Sequence, residues 1–174
     1  MTSTNRERAR REMTPARVYE CLNQLVGRWE TETVRVRDPL ITIPGVTVID
    51  WMEGGNFLVM RARHEHAEIP ASFAILGFMT SERVASGDLR STAALDPSAL
   101  RMHVYDAWGA FRRYRTSISE DMWRLEPERT GDARRFVGML PSQDCIAGRW
   151  QVLGGDGRWE EDLEITYRRW EPQR

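Results

Sequence analysis

Residues 48–61 read VIDWMEGGNFLVMR, two alternating stretches on either side of a Glu-Gly-Gly-Asn tip. Paired glycines supply the positive φ angles that a hairpin tip needs. Alternation of apolar and polar residues marks strands with one buried face. A turn at Gly54-Gly55 sets Trp51 opposite Leu58, Ile49 opposite Met60 and Thr47 opposite Ala62. Facing residues of a hairpin share a side of the sheet. One face is therefore Thr47, Ile49, Trp51, Leu58, Met60 and Ala62, and the other carries Val46, Val48, Asp50, Phe57, Val59, Arg61 and Arg63. The first is the better interior, and extending its strand adds His64 and His66.

Comparable turn signals recur along the rest of the chain, at residues 96–98, 108–109, 130–132, 142–144 and 154–157. Successive hairpins at this spacing predict an antiparallel meander that closes into a barrel. The polar stretch at 80–88 reads as a loop. One helix stands apart near the start. Thr14 is a good N-cap, Pro15 suits the first helical position and Gly27 is a C-terminal stop. Val18, Cys21, Leu22, Leu25 and Val26 fall on one face at helical spacing. The expectation is a helix near 15–26 closing one end of the barrel, after a polar leader over 1–13.

The last hairpin contains two of the three copies of Gly-Arg-Trp, at 148–150 and 157–159; the third is at 27–29. With Gly155-Asp156 at the tip, Val152 faces Trp159 and Trp150 faces Glu161. One face then reads Ile146, Gly148, Trp150, Val152, Trp159, Glu161, Leu163, Ile165, Tyr167. This reading turns all three Gly-Arg-Trp tryptophans inward and places the Glu161 carboxylate on an apolar inner face. The middle hairpin is less decisive. A turn at Trp108-Gly109 groups Arg101, His103, Tyr105, Arg112, Tyr114, Thr116 and Ile118, against Leu100, Met102, Val104, Asp106, Phe111, Arg113 and Arg115.

Composition narrows the chemistry. With 174 residues the chain suits one domain that needs no disulfide or metal staple. The net charge of −1 gives no reason to expect nucleic acid or an anionic membrane as partner. The apolar runs at 57–60 and 73–79 are too short to span a bilayer, and the polar N-terminus does not read as a secretory signal. Cys21 and Cys145 are in no metal-binding spacing, which fits unpaired thiols in a reducing cytoplasm. All 25 basic residues are arginine. Without lysine there is no Schiff base, phosphate-loop lysine or lysine general base. No Gly-rich nucleotide fingerprint, zinc-protease helix or Gly-x-Ser-x-Gly elbow is present.

The stretches LVGRWETE, VIDWMEGGNFLVMR, MHVYDAWGAFRRY, DMWRLEP and IAGRWQVLGGDGRWEEDLEITYRRW together resemble the small bacterial DUF1579-type, calycin-like β-barrel proteins, mostly of unassigned function. The resemblance spans roughly residues 22–170. The matching positions are Trp29, Trp51, Gly55, Phe57, His103, Tyr105, Asp106, Tyr114, Trp123, Gly148, Trp150, Trp159 and Tyr167. It implies a single antiparallel calycin-like barrel of about eight to ten strands. The aromatic matches at Tyr105 and Tyr114 favour the His103 face as the interior. Glu161 and the His-rich stretch after Met60 depart from the pattern. Haem barrels of the nitrobindin type, a looser likeness, need a histidine near the C-terminus; none follows His103, and no cofactor is expected.

These registers gather His64, His66, His103, Tyr105, Tyr114 and Glu161 inside. Burial moves carboxylate and imidazole pKa values towards the range useful for proton transfer. The expected function is a small-molecule-binding barrel for an apolar or aromatic ligand. Trp51, Met60, His64, Tyr114, Trp123 and Trp150 would line it, and His103, Glu161 and Tyr105 would supply acid/base chemistry for a cofactor-free isomerisation, cyclisation or dehydration in specialised metabolism. The bland alternatives are that Glu161 pairs with Arg101, Arg112 or Arg149 and that His103 is a hydrogen-bonded core residue. A metal site from His64, His66, His103 and Glu161 is a weaker option and is not adopted. A passive carrier and a filled barrel acting in protein association stand as competing functions, and a homodimer is left open.

Overall fold

The computed structural model describes residues 14–79, 96–129 and 134–171. The leader over 1–13, the loop read at 80–88 and the turn read at 130–132 lie outside the described residues. Helix α1 (Pro15–Asn23) precedes ten strands: β1 (Gly27–Arg35), β2 (Asp38–Trp51), β3 (Phe57–His64), β4 (Ser72–Phe78), β5 (Leu100–Asp106), β6 (Phe111–Ile118), β7 (Met122–Pro127), β8 (Arg134–Ser142), β9 (Cys145–Leu153) and β10 (Trp159–Arg169). Each strand pairs with its sequence neighbours, and β10 returns to β1, closing an antiparallel barrel. The calycin-like barrel read from the sequence is the architecture found.

Alternation along the strands divides the wall into two faces. The inward set includes Trp29, Ile49, Leu58, Leu76, Met102, Tyr114, Trp123, Phe136, Ile146, Ile165 and Tyr167, which form the buried core together with α1. Helix α1 closes the end where β1 begins. Thr14 caps it through the Arg17 amide, and Val18, Tyr19, Cys21 and Leu22 are buried. The helix ends at Asn23, before Gly27. Gly27 instead opens β1 with φ +143°, and a Cβ there would lie 2.4 Å from an Arg169 guanidinium nitrogen. Arg169 lies over the Trp29 ring at 4.2 Å and donates to the carbonyls of Gln24, Val26 and Gln143. Trp29 Nε1 donates to the Leu25 carbonyl at 2.9 Å. The first Gly-Arg-Trp thus locks the end of the barrel to the helix.

The first hairpin has the register read from its sequence: Trp51 faces Leu58, Ile49 faces Met60 and Thr47 faces Ala62. The middle hairpin does not. Met102 faces Tyr114, Val104 faces Arg112 and Tyr105 faces Phe111. Its loop is Ala107, Trp108 and Gly109, one residue longer than a two-residue turn, with Gly109 at φ +83°. The Asp106 carboxylate accepts hydrogen bonds from the Trp108 and Ala110 amides at 3.0 and 2.9 Å and fixes that loop. One residue of extra length rotates β5 by a full side-chain alternation relative to β6. Leu100, Met102 and Val104 therefore face inward with Tyr114 and Thr116, while His103 and Tyr105 face outward.

In the last hairpin the shift occurs twice. Trp159 faces Leu153 and Glu161 faces Gln151, one step away from the pairing read above. A bulge between Glu161 and Leu163 then restores the original alternation, so Leu163 faces Trp150 and Ile165 faces Gly148. Beyond the bulge the inner face is as expected. Between tip and bulge it is inverted, and Trp159 and Glu161 lie outside. Trp159 lies under the Arg135 guanidinium at 4.4 Å, so the third Gly-Arg-Trp does not turn its tryptophan inward.

Candidate functional site

The barrel interior has two unlike walls. On β6 to β9, Tyr114, Trp123, Phe136 and Trp150 form a continuous aromatic contact. Ring centroids are 5.1 Å apart for Trp123–Phe136, 5.2 Å for Phe136–Trp150 and 6.0 Å for Tyr114–Trp150. The contact is made by glycines: Gly138 and Gly148 face each other on β8 and β9. A Cβ at Gly148 would stand 2.4 Å from the Phe136 ring, and one at Gly138 would stand 2.8 Å from it. The ring lies in the trough that these two positions leave.

The facing wall, on β1 to β3, sets polar groups among its apolar ones. Thr31 and Thr33 on β1 and Thr47 on β2 are buried, and so is Thr116 on β6. The hydroxyls of all four lack a hydrogen-bond partner, as do His64 Nδ1 and Trp123 Nε1. His64 stands at the inward end of β3, opposite Gly45 of β2. Burial holds its imidazole below the ordinary histidine value of 6.5, so near neutral pH it is uncharged. Tyr167, opposite Thr31 on β10, has its phenol pushed well above the usual range by burial. Met60, Val104 and Trp150 also point inward, yet part of their surface stays accessible.

Among the described residues at inward register positions, charge is confined to the ends of the strands. Asp106 and Arg112 meet at 2.8 Å, Arg134 and Asp162 at 3.3 Å, and Arg37 and Glu160 at 3.1 Å; Arg35 pairs with Glu68. For Asp106, burial alone would raise the carboxyl. The hydrogen bonds from Arg112 and from the Ala110 and Trp108 amides outweigh it and hold the group below its usual range.

The residues singled out from the sequence separate cleanly. Met60, His64, Tyr114, Trp123 and Trp150 face the lumen. Trp51 lies at its closed end, packed on Tyr19 at 5.7 Å and donating to Asn23 Oδ1 at 2.8 Å. The expected inner cluster of His103, Tyr105 and Glu161 is corrected: all three lie on the outer surface. Tyr105 stacks on Phe111 at 4.9 Å and contacts Phe73, and His103 meets the edge of Phe111 at 5.6 Å. Glu161 pairs with Arg149 at 3.0 Å, one of the three arginines weighed for it. His66 lies beyond β3 and accepts the Glu68 amide, so the four residues considered for a metal do not converge. Among the described residues no three His, Cys, Asp or Glu side chains are grouped to hold an ion. The sequence places Thr47 on the inner face, as found, but Thr31 and Thr33 went unread, although they follow from the same alternation carried two and four residues past Trp29.

No family model matches the chain, and no curated protein does. Among solved structures, the S-type phycobiliprotein lyase CPES of Guillardia theta aligns with a TM-score of 0.51 at 10% identity, over 91% of this chain and 97% of that one. At that identity the likeness shows a shared fold. A de novo designed fluorescence-activating β-barrel aligns at TM-score 0.41 and 10% identity, covering 85% of this chain and 95% of its own. A DUF3598-family protein of unknown function from Nostoc punctiforme aligns at 0.25 and 9% identity, covering 88% and 99%. These two scores are too low to carry an argument. The fold is a calycin-like barrel; the narrower DUF1579 likeness has no support from these matches. Among the described residues no helix is long and apolar enough to cross a membrane.

Proposed function

We propose that the protein binds a small apolar or aromatic molecule inside its barrel and acts as a binder or carrier. One observation carries this reading: a wall of buried hydroxyls without partners, at Thr31, Thr33 and Thr47, facing a wall of aromatic rings. Buried polar groups are almost always hydrogen-bonded, and each one left alone costs about 1–3 kcal/mol. A row of them on one side of a lumen suits a guest that brings its own polar edge. Met60, Val104 and Trp150 stand at inward register positions and are only partly buried, which fits an open barrel better than a filled one. Acid/base catalysis by His103, Tyr105 and Glu161 is not part of this proposal, because those groups share no cavity.

Met60, His64, Tyr114, Trp123 and Trp150 are the residues proposed to contact the guest, with Trp51 as part of the floor. The test is a titration with naphthol followed by tryptophan emission, in wild type and in Met60→Trp, which fills the lumen from an accessible inward position. Saturable quenching that Met60→Trp abolishes supports the proposal. Equal binding by both proteins, or none by wild type, sinks it.

A further inference from the structure

Within the polar wall there is a notch. Gly45 stands on β2 between Thr31 of β1 and His64 of β3 in one cross-strand row. A methyl group built on Gly45 would lie 2.7 Å from Thr31 Oγ1, 2.8 Å from His64 Nδ1 and 2.5 Å from the Arg63 carbonyl oxygen. Gly45 is not among the glycines with positive φ, so the backbone does not demand glycine here. Space does. Three polar atoms from the two flanking strands, β1 and β3, converge where any side chain would have stood, and two of them, Thr31 Oγ1 and His64 Nδ1, have no hydrogen-bond partner.

The kind of group that fits follows from the donors and acceptors. A threonine hydroxyl both donates and accepts, a neutral imidazole nitrogen does one or the other, and a carbonyl only accepts. An anion would meet the Arg63 carbonyl and, among the described residues at inward positions, no spare cation. Charged residues at inward register positions (Arg35, Asp106, Arg112, Arg134, Glu160 and Arg169) all lie at strand ends, and each has an opposite charge beside it. A cation would likewise be desolvated without a carboxylate, which is costly. A hydroxyl can donate to one of the three atoms while accepting from another.

We propose that the notch over Gly45 is the anchoring subsite of the lumen, and that it selects a neutral aromatic molecule through a phenolic hydroxyl held between Thr31 and His64. The ring of that molecule then lies towards Trp150 and Tyr114. This inference rests on the lumen-binding reading above and adds the chemistry of the guest.

Three matched probes test it: naphthol, naphthalene and naphthoate, each titrated calorimetrically into wild type and Thr31→Val. Valine keeps the shape of threonine and removes only the hydroxyl. Wild type is expected to bind naphthol about tenfold more tightly than naphthalene, the range of one or two hydrogen bonds, with naphthoate weakest. Thr31→Val should remove most of that advantage and leave naphthalene affinity within about twofold, since no apolar contact changes. Equal affinity of wild type for naphthol and naphthalene would overturn the subsite while leaving lumen binding intact. So would a Thr31→Val variant that weakens both probes alike. Failure of both neutral probes to bind would remove the lumen reading itself. Gly45→Ala, where it folds, should mimic Thr31→Val by occupying the notch.

Discussion

The two walls of the lumen are built on opposite principles. The aromatic wall, Tyr114, Trp123, Phe136 and Trp150, is packed within itself: each ring lies against another, glycines at 138 and 148 leave room for Phe136, and only Trp123 Nε1 is left without a partner. The polar wall, Thr31, Thr33, Thr47 and His64, is unsatisfied within itself, since none of its buried polar atoms has a partner. Packing explains the first wall. It does not explain the second, because valine would fill the same positions at less cost in desolvation. On the proposed reading, the difference separates the part of the interior that holds the fold from the part that would receive a guest.

The largest effect should come from breaking the aromatic wall. Phe136→Ala removes a fully buried ring and should cost about 3–5 kcal/mol in urea unfolding. Gly148→Ala forces a methyl into that ring, at about 1–3 kcal/mol, and should cost much less in the Phe136→Ala background. Additive penalties in that double-mutant cycle would mean that the ring and the trough are not one unit. On the polar wall the sign reverses. Thr47→Val removes a hydroxyl that is buried and unpaired, and unliganded protein should gain up to about 1 kcal/mol. A clear loss of stability would show that the hydroxyl has a structural partner.

A pH series sharpens the same contrast. Burial holds His64 below 6.5, so on acidification the unfolded chain takes up the proton before the folded one does. Stability should decline as pH falls through 6.5 towards the folded value, and His64→Gln should flatten that slope. The Asp106 carboxyl lies below its ordinary 3.8. Its contribution stays whole above that value and is lost only as pH falls further, so the two windows are distinct. Thermal melts between neutral pH and pH about 5, compared between wild type and His64→Gln, would isolate the share of this histidine. The smallest effects belong outside the barrel. His103→Ala and Glu161→Gln should change stability by no more than about 0.5 kcal/mol and leave naphthol affinity unaltered, as befits side chains on the outer face.

How far the sequence carried this account depends on the length of each loop. In the first hairpin the pairing inferred from Gly54-Gly55 holds at every position, because the four-residue loop found there keeps the same register as the two-residue turn assumed. In the middle hairpin, one residue separates His103 inside from His103 outside. The sequence did contain the relevant signal: Asp106-Ala107-Trp108-Gly109 has Asp at the first and Gly at the last position of a type I turn, the pattern of a three-residue hairpin loop. The bulge at Asp162 had no comparable marker. Alternation there is carried by Glu160, Glu161, Asp162 and Glu164, four acids that give no hint of which faces inward. The aromatic wall was legible because Trp and Tyr stand out at strand positions. The polar wall was not, since threonine is at home on either face of a strand and only the alternation carried on from Trp29 places Thr31 and Thr33 inside.

The most direct test of a lumen with a receptive polar wall is methyl NMR during titration with naphthol. The account predicts saturable shifts of the Met60 methyl and of the Thr31 and Thr47 methyls, with Met139, which is exposed on the outer face of β8, unmoved. Shifts confined to outer-face methyls such as Met139, with Met60 and the two threonines unchanged, would contradict it.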